Sequence, residues 1–217
     1  MKHIFDFLRK ISGGTLTQKQ VDAANQVIAT ATDATVADML GIETACLRAV
    51  IEVECKGSGF NSDNTPVILF ERHVMRQRLI ANNRDLDLEI MLKERPDLCN
   101  KSTGAYGLYS AQHGRLNAAA QYHRESALES ASWGIGQVMG YHWKALVYPS
   151  LQAFINAMYK DEAAQLDAMC RYVKVNNLVN ALKNKDWKAF AKGYNGQSYA
   201  KNSYDIKLVS AYKKWSQ

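Results

Sequence analysis

Glu54 stands where an apolar residue would be expected. It follows Leu47 by seven positions, Val50 by four and Ile51 by three, so on a helix it continues the apolar face. The chain then breaks at Lys56-Gly57-Ser58-Gly59. A carboxylate on such a face loses hydration, which favours its protonated form. That is the property a general acid needs when it protonates a glycosidic oxygen. The alternative is a helix-end glutamate that binds loop N–H groups. Glu52 points elsewhere, within i,i+4 reach of Arg48 and Lys56, and reads as an ordinary surface carboxylate.

A second unusual segment is Ala131-Ser132-Trp133-Gly134-Ile135-Gly136-Gln137-Val138-Met139-Gly140. Its three glycines are interleaved with Trp, Gln and Met, as where something flat and polar closely approaches the backbone. An amide such as Gln137 between small residues can read sugar hydroxyl or N-acetyl groups. The alternative is a packed helix start whose glycines allow close helix–helix contact. The third segment, Gly193-Tyr194-Asn195-Gly196, reads first as an Asn-Gly turn.

The elements that must carry these residues are mostly helical. Residues 1–15 end in Ser12-Gly13-Gly14-Thr15 and read as a short helix or leader outside a domain spanning 16–217. Thr17–Ala31 and Val36–Glu54 are helix-friendly. Pro66–Phe70 is a compact apolar run after the Asn61–Asn64 turn, and suggests a short strand within a small β element at 60–72. By period two, Glu71 shares the side of Val67 and Leu69. Residues 93–115 look loop-like, and helices resume near Leu116. Leu151 through Val173 traces one apolar face over some six turns, with Glu162 and Gln165 on that helix as a solvated edge or a buried contact. Shorter helices are expected at Leu178–Leu182, Trp187–Ala191 and Ile206–Trp215.

Composition narrows the class. The chain has 217 residues, 47% hydrophobic, with 3 Pro and 13 Gly, enough for one domain with a sizeable core. No stretch approaches the length of an apolar membrane span, and the N-terminus lacks a signal-peptide core. Both point to synthesis in the cytoplasm without stable membrane insertion. Cys46, Cys55, Cys99 and Cys170 lack short paired spacing and read as free thiols. With five scattered histidines, no metal site or cofactor is implied. Lys plus Arg exceed Asp plus Glu by 27 to 21, a net charge of +6, which favours an anionic partner. No basic arm or helix-turn-helix pattern points to nucleic acid.

In order, the three segments resemble the lysozyme-like superfamily. Its lytic transglycosylase and goose-type lysozyme branch is matched by Val53-Glu54-Cys55, Gly134-Ile135-Gly136-Gln137-Val138-Met139 and Tyr194-Asn195-Gly196. The chain is still more similar to the N-acetylmuramidase domain of phage and prophage endolysins, from about Thr17 onward. That likeness rests on Pro66-Val67-Ile68-Leu69-Phe70-Glu71-Arg72-His73, Ala127-Leu128-Glu129-Ser130-Ala131-Ser132-Trp133-Gly134 and the run from Trp187 to Gly196. The resemblance implies a mainly α (α+β) two-lobed lysozyme-like domain with a central cleft. It also implies hydrolysis of the β-1,4 bond between N-acetylmuramic acid and N-acetylglucosamine in bacterial peptidoglycan. Glu54 would be the acid; Gln137, Tyr194 and Asn195 would line the sugar cleft or hold that acid. The family usually has Glu-Ser where this chain has Glu54-Cys55, which replaces a hydroxyl by a weaker donor.

Two residues compete as the second carboxylate. Asp63 lies nine residues after Glu54, on a turn expected at one lip of the cleft; small phage lysozymes have a similar Glu-to-Asp spacing. Glu71 belongs to the family pattern, though an ion pair with a neighbouring Arg would equally explain it. Members that use a substrate N-acetyl group or internal attack need only one Glu. Glu129-Ser130 looks like the superfamily's catalytic pair but sits too close to Gly134, which makes capping its expected role. The resemblance further implies a monomeric host-lysis protein. It would reach the wall in the periplasm through membrane lesions made by another protein, its basic surface also suiting an anionic outer membrane. A transglycosylase acting on the same bond is the enzymatic alternative; a wall-binding module is the non-enzymatic one.

Overall fold

The computed structural model describes residues 33–54 and 58–217. The leader at 1–15, the helix expected at Thr17–Ala31 and Cys55 lie outside the described residues. Residues 33–40 are helical and lead into α1 (Thr44–Glu54), which buries Cys46, Leu47, Ala49 and Val50. There follow β1 (Ile68–Phe70), α2 (Arg72–Ala81), α3 (Asp85–Glu94), α4 (Gln112–Glu129), β2 (Ala131–Trp133) and β3 (Val138–Met139). The chain closes with α5 (Leu151–Lys160), α6 (Glu162–Val175), α7 (Val179–Lys183), α8 (Trp187–Asn195) and α9 (Tyr204–Trp215).

Two groups of elements face each other. In one, α9 packs along α1 and against α8. In the other, α2 and α4 pack together and α4 backs β1 and β2. Helix α5 packs against α4 and α6 against β3, and α6 also meets α8 where the Tyr172 ring lies edge-on to Tyr194 at 5.4 Å. The sheet is antiparallel in the order β1-β2-β3, with Ile68 opposite Trp133, Phe70 opposite Ala131, and Trp133 opposite Val138. Alternation then sorts the side chains: Ile68 and Phe70 are buried, while Val67, Leu69 and Glu71 face the cleft. At the free edge of β1, the Phe70 N–H donates to the buried Gln112 amide at 3.0 Å.

Several elements depart from the sequence reading. The apolar face from Leu151 to Val173 belongs to two helices. Asp161 is extended between them, and its carboxylate caps α6 by accepting from the Ala164 N–H at 2.8 Å. Helices α2 and α3 escaped notice because their apolar stripes are thin: α3 buries only Met91. The 131–140 segment is a β-hairpin, not a helix start. Helix α8 runs through Tyr194 and Asn195, so the Asn-Gly pair marks a helix C-terminus, with Gly196 at φ +76°. The buried thiols of Cys46, Cys99 and Cys170 are unpaired, with pKa values pushed up to about 11, 11 and 12 by desolvation.

Candidate active site

Helix α1 ends at Glu54, at the wall of a cleft of ≈ 660 Å³. Its face explains the placement: residues three, four and seven positions earlier pack inward and carry Glu54 partly out of water. Asn195, on the last turn of α8, donates from Nδ2 to Glu54 Oε1 at 2.9 Å. Burial dominates the electrostatics and raises the Glu54 pKa above the ordinary glutamate value. The Asn195 hydrogen bond and the positive charge of Lys207 oppose it without cancelling it.

Glu71 lies on the same cleft, one residue past β1. Among the described residues no arginine pairs with it, in contrast to the ion pair considered from sequence. Its Oε2 accepts from the Tyr106 hydroxyl at 3.3 Å and lies 3.5 Å from His73 Nδ1. Arg72 instead fastens the 100–103 loop, donating to the carbonyls of Ser102 and Thr103. Asp63 does not line the cleft. It is exposed, and its Oδ1 accepts from the Thr65 N–H at 3.0 Å and the Thr65 hydroxyl at 2.6 Å, which hold its pKa low.

The hairpin wall is held by amides. Gln137, in the left-handed region at φ +46°, donates from Nε2 to the Gly134 carbonyl at 2.8 Å and accepts the Ser132 hydroxyl at 2.8 Å. It lines the cleft, but its side chain is engaged in fixing the turn. Tyr194 donates to the Gly136 carbonyl at 2.9 Å and stacks on Phe190 at 5.4 Å. The flat polar group that approaches the glycines belongs to the protein itself. Gln165 lies buried against Gly59 and Gly134; a Cβ on Gly134 would sit 2.5 Å from the Gln165 amide carbon. Gln165 accepts from the Ile135 N–H at 2.8 Å and donates to the carbonyls of Gly59 and Met158. Glu162 adds a second tie, accepting from the Ser58 hydroxyl and the Gly59 N–H at 2.8 Å each.

Glu129 neither caps a helix nor faces the cleft. It is 3% exposed and accepts from Arg78 Nε at 2.7 Å, Asn82 Nδ2 at 3.0 Å and Trp143 Nε1 at 3.2 Å. This network joins α2 to the end of α4. Sequence reasoning missed Tyr109 and Tyr204, which also line the cleft. Burial, followed by the charges of Glu54 and Tyr109, raises the Tyr204 pKa. No periodic signal marks either tyrosine, since each sits at the first position of a helical element, Tyr109 after an irregular stretch and Tyr204 after the short 3-10 turn at Gln197–Asn202.

Among solved structures, the crystal structure of a Burkholderia AP3 phage endolysin matches with a TM-score of 0.79. It is 44% identical, over 86% of this chain and 71% of that one. No curated protein matches. The N-acetylmuramidase family matches residues 43–216, a span that takes in both cleft carboxylates, the hairpin and the end of α8. The resemblance drawn from separate motifs thus extends across most of the sequence and the folded chain, which belongs to the N-acetylmuramidase family.

Proposed function

We propose that this protein is a lysozyme-type phage endolysin that hydrolyses the β-1,4 bond between N-acetylmuramic acid and N-acetylglucosamine in peptidoglycan. The observation that carries the reading is the placement of Glu54, which burial keeps prone to hold its proton in the wall of an open cleft. It donates that proton to the glycosidic oxygen as the bond breaks. Asn195 holds the carboxyl group and stabilises the anion that remains. Glu71 serves as the second carboxylate: its Oε2 is held by Tyr106, while its Oε1 has no hydrogen bond to any described residue and is available to take a proton from the attacking water. Gln137 and Tyr194 shape the wall against which the sugars lie.

A second carboxylate on the cleft favours hydrolysis over internal attack by the muramyl 6-hydroxyl, which needs one Glu alone. Catalysis is assigned to residues 16–217, and residues 1–15 are outside the machinery. The enzyme acts as a monomer on the wall, reached from the host cytoplasm through lesions made by another protein. Mass spectrometry of digested peptidoglycan tests the chemistry. Reducing-end N-acetylmuramic acid is the expected product; 1,6-anhydro-muramic acid would make the protein a transglycosylase. Reducing-end N-acetylglucosamine would overturn both readings.

A further inference from the structure

Glu71 stands at the N-cap of α2, where a carboxylate ordinarily accepts from the N–H groups of the first turn. Its side chain makes no such bond. It turns to the cleft instead, and two side chains converge on one of its oxygens. The Tyr106 hydroxyl lies 3.3 Å from Oε2, and His73 Nδ1, from the first turn of α2, lies 3.5 Å from the same atom. His73 Nδ1 is buried and has no hydrogen-bond partner among the described residues. Both separations are longer than charge-assisted hydrogen bonds, as catalytic contacts often are before substrate binds.

An irregular loop delivers the phenol. Gly104 at φ +82° and Gly107 at φ +72° turn the backbone on either side of Tyr106. A Cβ on either glycine would touch nothing, so they serve conformation rather than room. Gln112, the first residue of α4 and 1% exposed, locks the result. Its Nε2 donates to the carbonyls of Tyr106 at 2.7 Å and Leu108 at 2.9 Å. Its Oε1 accepts from the N–H of Phe70, the residue before Glu71. One buried amide thus fixes the phenol and the carboxylate relative to each other. Burial, then the charge of Glu71, raises the Tyr106 pKa, so the hydroxyl keeps its proton and remains a donor. Other charged and titratable groups nearby are differently engaged. Arg72 holds the 102–103 carbonyls and Arg78 is paired with Glu129. Tyr141 feels the Glu71 charge from the turn after β3, and Glu54 lines the same cleft.

We propose that Tyr106 and His73 act together as positioning residues for Glu71, holding Oε2 so that Oε1 is the oxygen presented to the attacking water. In the step they serve, the water oxygen bonds to the anomeric carbon while its proton passes to Oε1. The Glu54 proton passes to the departing glycosidic oxygen. Two donors on Oε2 keep the carboxylate from rotating and exchanging its oxygens, a loss of freedom that favours the reaction. The inference rests on Glu71 as the second carboxylate and adds what holds it in place.

The test follows kcat and KM on purified peptidoglycan against pH, using the full chain, with melting curves by circular dichroism for each variant. Tyr106→Phe keeps the ring and removes the donor. Its kcat should fall about tenfold with KM little changed. The acidic limb of its kcat/KM profile should move to higher pH, because loss of a donor disfavours the ionised carboxylate. His73→Ala should move the limb in the same direction. His73→Asn, whose amide can place a donor near the Nδ1 position, should restore most of the rate. A purely structural part would lower the melting temperature and leave the limb in place. An unmoved limb in either Tyr106→Phe or His73→Ala, or equal rates for His73→Asn and His73→Ala, would overturn the proposal. The second-carboxylate reading fails on a different result, near-normal turnover by Glu71→Gln. An inactive Glu71→Gln beside an unmoved limb would sink this inference alone.

Discussion

Moving Glu54 out of water raises its proton affinity, so the folded chain binds that proton more tightly than the unfolded chain does. For a carboxylate with a raised folded pKa, stability is greatest below the unfolded value and falls as pH climbs through the folded one. Glu54→Gln removes the ionisation. It should therefore raise the melting temperature at neutral pH and lose that advantage in acid, as read by circular dichroism. The same variant should lose activity by about 10²–10⁴-fold or more, because an amide cannot act as the acid. Glu52→Gln is the matched control. Glu52 is bonded to Lys214 at 2.9 Å and Trp215 at 2.7 Å on the outer side of α1, and exposed pairs of this kind add little. Its turnover in a wall-turbidity assay should stay close to normal. Asn195→Ala deletes the donor that favours the Glu54 anion, so the pKa should rise further. The basic limb of the kcat/KM profile should then move to higher pH. A limb that stays put or moves down would show that another group ionises.

At the scale of elements, one residue of α6 bonds both the hairpin and the 58–60 loop, and Glu162 ties the loop a second time. Gln165 is 1% exposed and serves the Ile135 N–H and the carbonyls of Gly59 and Met158. Gln165→Leu fills similar space but leaves those groups without partners. At roughly 1–3 kcal/mol for a buried unsatisfied group, and with partial relaxation, a loss of about 2–4 kcal/mol is expected in urea denaturation. Turnover should fall as well, because Gly136 supplies the carbonyl that holds Tyr194. A change below ~0.5 kcal/mol would mean that water replaces the amide with ease. The break at Asp161 belongs to this scale too, since it lets α5 and α6 meet at the angle that brings Gln165 under the turn.

For the whole molecule, a net charge of +6 acts at long range on a polyanionic wall. Binding of inactive Glu54→Gln to purified walls should weaken steadily as salt is added, measured by co-sedimentation. Salt-independent binding would place the affinity in the cleft alone. Among the described residues no helix is long and apolar enough to cross a membrane. Tyr194 of α8 bonds the carbonyl of Gly136 in the hairpin, 58 positions away, and so ties one group to the other, while Glu54 and Asn195, 141 positions apart, and Gln165 and Gly59, 106 apart, close the cleft around them. The cleft therefore depends on the assembled fold rather than on any one segment.

The sequence by itself determined what local periodicity and short motifs can carry. The face of α1 put Glu54 at a desolvated helix end, period two put Glu71 beside Val67 and Leu69, and the ordered motifs identified the family and its helical, clefted fold. Tertiary structure decided the partners. Nothing in the spacing of Asp63 or Glu129 told that one would be fastened to Thr65 in solvent and the other buried against Arg78, Asn82 and Trp143. The glycines of the 131–140 segment gave a correct sign of close approach but not its source, because Gln165 reaches them from a distant helix. The reason is physical. A helix face or a strand alternation is set by bonds within a few residues, whereas the hydrogen-bond partner of a buried polar group is set by which segments the core brings together.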